Sequence, residues 1–142
     1  EGRNAYRLSD LWQAQGVAPA QLKPGDALQL DANLRLTLLA APGSAQAALL
    51  LEYDRLRILI PGGVPPGLML QANPAAAAPG LLILSEEDLQ NTPPATWEAL
   101  NPQAVVLQGS LPDAPAGWLV SAERGWLHIR SDGRQMWIET QK

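Results

Sequence analysis

Short apolar runs alternate with turn residues along most of this chain, a pattern typical of a domain built mainly from strands. Between residues 34 and 39 every second position is Leu, which predicts a half-buried strand. The runs at 81–84 and 104–107 are continuously apolar, as expected for strands buried on both faces. The predicted strands cover residues 27–30, 34–39, 47–53, 56–60, 81–84, 104–107, 118–121, 125–130 and 135–140.

Helical spacing of Leu8, Leu11 and Trp12 predicts an amphipathic helix over residues 6–15, which Gly16 ends. A second helix is predicted between the two buried strands, with Thr92 as its N-cap and the next residue, a proline, at its first position. A strand, a helix and a strand in this order form a parallel, right-handed unit.

Turn residues predict the remaining connections. A short helix is expected from Pro65 to about residue 70, and the alanine run at 75–78, bracketed by prolines, is expected to be a surface loop. Ser-Asp-Gly-Arg at 131–134 is the strongest hairpin signal in the chain.

The order of elements predicts an α/β class, with α+β as the alternative, and a single domain over residues 1–142. Within it we expect a helix at 5–16, a sheet core at 27–60, a strand–helix–strand unit at 81–107 and terminal strands at 118–140.

Composition excludes several classes of site. The 142 residues include no cysteine, which rules out a disulfide framework, a zinc ribbon, an iron–sulfur site and a thiol nucleophile. With His128 as the single histidine, one chain cannot supply a His-rich zinc site. The formal charge of −4 argues against a domain that holds nucleic acid by charge alone.

No apolar run approaches the roughly 20 residues that a membrane-spanning helix needs. The first residues also lack the basic start and apolar core of a signal peptide. Because the chain begins with Glu1 rather than Met, we expect it to be a processed product or a segment of a longer protein.

Four segments of the chain, taken in order, match the pattern of a known family. They are residues 48–63, which end Leu-Arg-Ile-Leu-Ile-Pro-Gly-Gly, residues 81–87 (Leu-Leu-Ile-Leu-Ser-Glu-Glu), residues 97–106 (Trp-Glu-Ala-Leu-Asn-Pro-Gln-Ala-Val-Val) and residues 130–140 (Arg-Ser-Asp-Gly-Arg-Gln-Met-Trp-Ile-Glu-Thr). In this order they resemble the C-terminal metallo-β-lactamase-like domain of competence proteins of the ComEC type, which are membrane proteins that bring single-stranded DNA into bacteria.

The resemblance covers about the second half of such a domain, and therefore implies a half-sandwich: a mixed sheet with a hairpin, a strand–helix–strand unit and a terminal hairpin. In the whole domain two sheets pack face to face. A half alone leaves one apolar sheet face open. We expect a second copy in a homodimer, the missing N-terminal half or the helix at 6–15 to cover it.

The positions at which the family holds its metals are changed in this sequence. Gly63 stands where the family has an aspartate, and Glu86 and Glu87 stand where it has a pair of histidines. A later histidine has no counterpart in the shortened loop after residue 107. The resemblance, with these departures, implies no catalytic residue, no metal and no cofactor.

We therefore expect a non-catalytic module of a bacterial DNA-uptake protein with a structural or interaction role. It would be a soluble, extracytoplasmic or membrane-surface part of an inner-membrane protein, with single-stranded DNA or other competence proteins as partners. The alternative is a metal-dependent phosphodiesterase or nuclease whose missing ligands come from another segment or chain.

Three smaller features each allow two interpretations. Residues 85–88, Ser-Glu-Glu-Asp, suit a hard-cation site, but we favour a capping box with Ser85 at the N-cap and Asp88 turned back. His128 lacks an obvious carboxylate or serine partner nearby in sequence, which favours a half-exposed strand histidine over a catalytic one. The glycine-containing segment 62–67 has no lysine of the kind found in a phosphate loop, and it is predicted to form a turn.

The terminal hairpin carries the clearest mixture of basic and aromatic residues in the chain. Trp126 and Trp137, with Arg130 and Arg134, suggest weak binding of single-stranded DNA through base stacking. In a chain without phenylalanine, however, the five tryptophans are expected to fill the core.

Overall fold

The computed structural model describes residues 14–16, 22–39, 46–90 and 92–141. Apart from Ala14 and Gln15, the helix predicted over residues 6–15 lies outside these ranges. Within the described ranges, no helix is both long enough and apolar enough to cross a bilayer.

Nine strands are present among the described residues. They are β1 (Ala27–Asp31), β2 (Leu34–Leu39), β3 (Ala48–Tyr53), β4 (Leu56–Ile60), β5 (Leu81–Ser85), β6 (Ala104–Gln108), β7 (Leu119–Val120), β8 (Leu127–Ser131) and β9 (Met136–Thr140). The first seven form one sheet in sequential order, antiparallel from β1 to β4 and parallel from β4 to β7. β8 and β9 form a separate antiparallel hairpin. The structure is therefore α/β with a mixed sheet, and the parallel β5–helix–β6 unit is confirmed.

Short helices connect these strands. They are α1 (Pro66–Ala72), a 3₁₀ turn (Pro74–Ala76), α2 (Glu86–Gln90), α3 (Pro94–Glu98) and α4 (Ser121–Arg124). The predicted start of α3 is wrong by one residue, because Pro93 is the N-cap and Pro94 occupies the first helical position. Pro93 is extended, with φ −65° and ψ 152°, since the ring of the following proline disfavours helical geometry in the residue before it.

The alanine run is only in part the surface loop that its sequence predicts: Ala77 and Ala78 lie outside any helix, and Ala78 is exposed. Residues 74–76 form one 3₁₀ turn whose N-cap is Asn73, and Ala76 is fully buried. The guanidinium of Arg57, on β4, donates hydrogen bonds of 3.0 Å to the carbonyls of Ala75 and Ala78. Hydrogen bonds between residues this far apart in sequence leave no local signal, so the sequence could not predict the 3₁₀ turn.

One face of the large sheet carries the core. Strand register places Thr37, Leu50 and Leu59 side by side on this face, and all three are buried. Buried leucines of β5 and β6 continue the same layer. Met69 of α1 and Trp97 of α3 are buried in the same cluster, so the helices cover this side of the sheet.

The opposite face is also apolar but more open. Register aligns Leu28, Leu36, Leu51 and Ile58 across β1 to β4; Leu28 is 38% exposed and the other three are half-buried. Leu30, on the edge strand, is 55% exposed. We call this surface, which runs from β1 to β4, the open face.

The terminal hairpin is anchored at its turn. Arg55 donates its backbone N–H to the carbonyl of Gly133 at 2.9 Å, which joins the β8–β9 turn to the β3–β4 turn. Gly133 has φ +84°, and a Cβ there would lie 2.7 Å from the Cβ of Asp54. The predicted hairpin is confirmed, and this close approach explains its glycine.

Candidate functional site

Gly63, Glu86 and Glu87 lie at one edge of the large sheet. Because β4, β5 and β6 are parallel, their carboxyl ends meet at this edge, which is where open α/β sheets bind ligands. Gly63 follows β4, and Glu86 and Glu87 follow β5 directly. We call the cluster made by these three residues, Asp88 and the loop after β6 the strand-end cluster.

Gly63 serves this cluster through its backbone. Its φ of +84° lies in the left-handed region that favours glycine, and its N–H donates a 2.7 Å hydrogen bond to Oδ1 of Asp88. A Cβ at this position would collide with the side-chain amide of Gln46 and lie 3.1 Å from Oε1 of Glu87. An aspartate here would have to displace the end of the Gln46 side chain and would place its own side chain beside Glu87.

Asp88 is the buried acid at the centre of the cluster, with a relative exposure of 3%. Besides the Gly63 contact, its Oδ2 accepts the backbone N–H of Ser85 at 2.7 Å and the Ser85 hydroxyl at 2.8 Å. The carboxylate turns back onto Ser85, as the capping-box interpretation predicts. The Gly63 contact, however, was not predicted, because residues 25 apart in sequence gave no sign of meeting.

Glu86 reaches in the other direction, towards β6. Its Oε1 accepts the backbone N–H of Ser110 at 3.0 Å, and its side chain occupies the space that a Cβ at Gly109 would need. Gly109 in turn donates its N–H to the hydroxyl of Ser121, at the start of α4, at 2.9 Å. This acid therefore links the ends of β5 and β6.

Glu87 completes the set of carboxylates, with Oε1 accepting a 3.3 Å hydrogen bond from the side-chain amide of Gln46. Each acid at this edge thus accepts hydrogen bonds from protein N–H or O–H groups. In the described part of the chain, no group of three or more His, Cys, Asp or Glu residues could hold a metal ion. These residues do not fit the metal centre of the family that the sequence resembles.

No protein-family model matches this chain, and no curated protein matches it. The family resemblance therefore depends on the order and spacing of its four sequence segments.

The predicted nucleic-acid contacts lie elsewhere, on the terminal hairpin, and the structure brings three of the four together. Trp126, Arg130 and Trp137 are all exposed on the outer side of the hairpin, the two tryptophans by 55% and 48%. Arg134 lies in the turn, where it lines a recess with Arg55 and other residues.

The same turn holds Asp132, whose pKa is lowered because its carboxylate accepts the backbone N–H groups of residues 135 and 134.

The expectation that tryptophans fill the core is confirmed for Trp97 and Trp118, at 1% and 8% exposure. It is wrong for Trp126 and Trp137, and Trp12 lies outside the described residues. Alternation along the hairpin puts aliphatic side chains on its inner side and the tryptophans on its outer side.

His128 is an exposed strand residue, as its local sequence predicts, and it also has a carboxylate neighbour on the facing strand. The strand register pairs it with Glu139, and its Nδ1 lies 3.7 Å from Oε2 of that residue. Arg130 approaches the other oxygen of Glu139, with Nη1 3.6 Å from Oε1. The partner comes from the facing strand, so adjacent sequence could not reveal it.

Placing an aspartate at position 63, where the resembled family has one, provides a test of the strand-end cluster. We expect Gly63→Asp to lower the free energy of unfolding by about 2 kcal/mol, because the new side chain needs a left-handed backbone and adds a charge beside two acids. Gly67→Asp is the matched control, since nothing lies within 4 Å of a Cβ at Gly67 and an acid suits the first turn of α1. Urea unfolding measures both. A Gly63→Asp variant as stable as this control would contradict the packing described here.

Proposed function

We propose that this chain is a non-catalytic metallo-β-lactamase-like module of a bacterial ComEC-type DNA-uptake membrane protein, with a structural or interaction role. It would act outside the cytoplasm or at the membrane surface, in contact with single-stranded DNA or with other competence proteins. The observation that carries this proposal is the hydrogen bonding of the strand-end cluster, where Asp88 and Glu86 accept backbone N–H groups from the loops after β4 and β6.

The chemistry of hydrolysis explains why this observation matters. A metallo-β-lactamase-like hydrolase activates water with metal held by His and Asp side chains at this edge. Buried Asp88 already accepts three N–H and O–H donors with its two oxygens, so little of its capacity to bind a cation is left, and leaving a buried N–H unpaired costs about 1–3 kcal/mol. In this chain the acids instead join the ends of β4, β5 and β6.

The mixed sheet provides secondary support. A meander from β1 to β4 that continues into parallel β5 and β6, with a separate hairpin at the end, is the order of elements expected for the half-sandwich. The open face is also where the other half of such a domain would pack.

Metal binding and hydrolysis test this proposal together. We expect the purified protein to contain less than stoichiometric zinc or manganese, and to leave single-stranded DNA and bis-p-nitrophenyl phosphate intact with either metal added. The Glu86→Gln/Glu87→Gln double variant is the control for background hydrolysis. Stoichiometric metal with hydrolysis that is lost in the double variant would overturn the proposal and favour the phosphodiesterase alternative.

The open face leads to a proposal about assembly. We propose that a second copy of the chain covers it, because exposed leucines on the edge strand, such as Leu28 and Leu30, are costly to leave in water. Light scattering should then give twice the mass of one chain, and Leu30→Asp should reduce it to that of a monomer. A wild-type monomer would contradict the dimer and favour cover by the missing N-terminal half or by the helix predicted at residues 6–15.

A further inference from the structure

The outer side of the terminal hairpin forms a flat surface of aromatic and polar side chains that no part of the proposal above uses. It consists of Trp126, His128 and Arg130 on one strand and Trp137 and Glu139 on the other, all exposed. The carbonyl of Trp126 accepts the N–H of Gln141 at 3.1 Å, so strand pairing continues to this end of the surface. We call these five residues the hairpin platform.

The two indoles lie at opposite ends of the platform. Trp137 is opposite Arg130 in the register, and Arg130 is four residues from Trp126. At a rise of about 3.4 Å per residue, the tryptophans are roughly 14 Å apart along the strands. The His128 ring lies between them, with its centroid 6.5 Å from that of Trp126. This spacing suits an extended chain of several units rather than one small molecule.

Exposed tryptophans at 55% and 48% add little to the stability of the hairpin, whose inner side carries aliphatic residues. Indoles left partly in water on a rigid strand surface are typical of a recognition site, because they provide a large contact area with little conformational freedom to lose. The position of both on one face therefore indicates a ligand with flat apolar surfaces.

Charge distinguishes between the kinds of chain that could stack there. On the platform the positive Arg130 faces the negative Glu139, Arg134 lies off the surface in the turn, and the whole chain carries −4. A surface that binds single-stranded nucleic acid combines stacking residues with a basic groove, and its affinity depends on neutralised phosphates. A platform without net charge fits a ligand without net charge.

The polar centre of the platform also has unused hydrogen-bonding capacity. The nitrogen–oxygen distances from Glu139 to Arg130 and His128 are 3.6 and 3.7 Å, longer than a hydrogen bond. All three side chains are more than half exposed, so hydroxyl groups of a ligand, which both donate and accept, can reach their donors and acceptors.

We propose that the hairpin platform binds a neutral oligosaccharide. The C–H faces of two sugar rings stack on Trp126 and Trp137, and the hydroxyl groups between them hydrogen-bond to Arg130 and Glu139. This inference goes beyond the proposed function and does not depend on it, because none of the five platform residues belongs to the strand-end cluster.

Titration with defined probes tests this inference. The probes are two neutral hexasaccharides, N-acetylated chitohexaose and cellohexaose, and a dT oligonucleotide as the polyanion. Binding is followed by calorimetry and tryptophan fluorescence. We expect at least one hexasaccharide to bind with an affinity that does not change with salt. Trp126→Ala and Trp137→Ala should each weaken binding about tenfold, whereas Trp126→Phe and Trp137→Phe, which keep a ring for stacking, should stay close to wild type.

Folding of the variants is checked by urea unfolding, where exposed positions are expected to change stability by about 0.5 kcal/mol or less. If neither hexasaccharide binds, the inference is wrong. Salt-dependent binding of the dT oligonucleotide alone, lost in the alanine variants, would identify the platform as a nucleic-acid surface instead. Neither outcome changes the expected metal content or hydrolysis, so either proposal can be wrong while the other stands.

Discussion

Replacing Asp88 with alanine is expected to lower the free energy of unfolding by about 3 kcal/mol. The carboxylate is 97% buried and accepts the N–H of Gly63, the N–H of Ser85 and the Ser85 hydroxyl. Without it these partly buried donors lose their acceptor. Thermal unfolding should show a decrease in Tm of roughly 10 °C for a chain of this size.

Two further variants show whether hydrogen bonding causes this loss. Asp88→Asn keeps one acceptor oxygen but turns an amide towards an N–H donor. Its free energy of unfolding should therefore lie between those of the wild type and Asp88→Ala. Glu98→Ala removes an exposed acid at the end of α3 and should change stability by about 0.5 kcal/mol or less. If Asp88→Ala were as stable as Glu98→Ala, the strand-end cluster would not be the structural link described here.

Trp97→Ala is expected to have the largest effect, about 4 kcal/mol, because it leaves a cavity between α3 and the sheet. The side chain is 1% exposed and belongs to the main core cluster with Leu100 and Val105. Urea unfolding should show a lower midpoint with an unchanged slope, the sign of a lost native contact rather than a changed unfolded state.

Trp97→Phe is the informative comparison. The indole N–H of Trp97 is buried and has no hydrogen-bond partner among the described residues. Phenylalanine removes that unpaired donor while it keeps most of the apolar volume, so the loss should be about 1 kcal/mol or less. An equal loss in both variants would show that the indole N–H has a partner, contrary to the structure.

Elements with a strong local pattern were predicted well. The alternation of Leu34, Leu36 and Leu38 and the continuous apolar runs of β5 and β6 gave the correct strands within a residue or so. Ser-Asp-Gly-Arg gave the correct terminal hairpin. Such signals succeed because the period of a strand and the φ requirement of a turn depend on neighbouring residues alone.

Predictions that depended on long-range packing failed or were incomplete. Composition could not separate the core tryptophan Trp97, on α3, from the exposed Trp137, on β9, because a residue count does not say which side of an element faces the core. Two contacts of the sites join segments that meet only after folding: Glu139 lies beside His128, and Asp88 accepts a hydrogen bond from Gly63.

The candidate site was likewise predicted in part from the sequence, and the rest depended on long-range contacts. The sequence alone determined which residues stand at the strand ends, Gly63, Glu86 and Glu87, because residue identity is read directly. Only the tertiary structure decided what these residues do. Parallel pairing of β4, β5 and β6 brings their carboxyl ends together, and there the acids meet backbone N–H groups that need acceptors. Local patterning therefore determines strands and turns, whereas the hydrogen-bond partners of polar groups depend on which strand ends the sheet brings together.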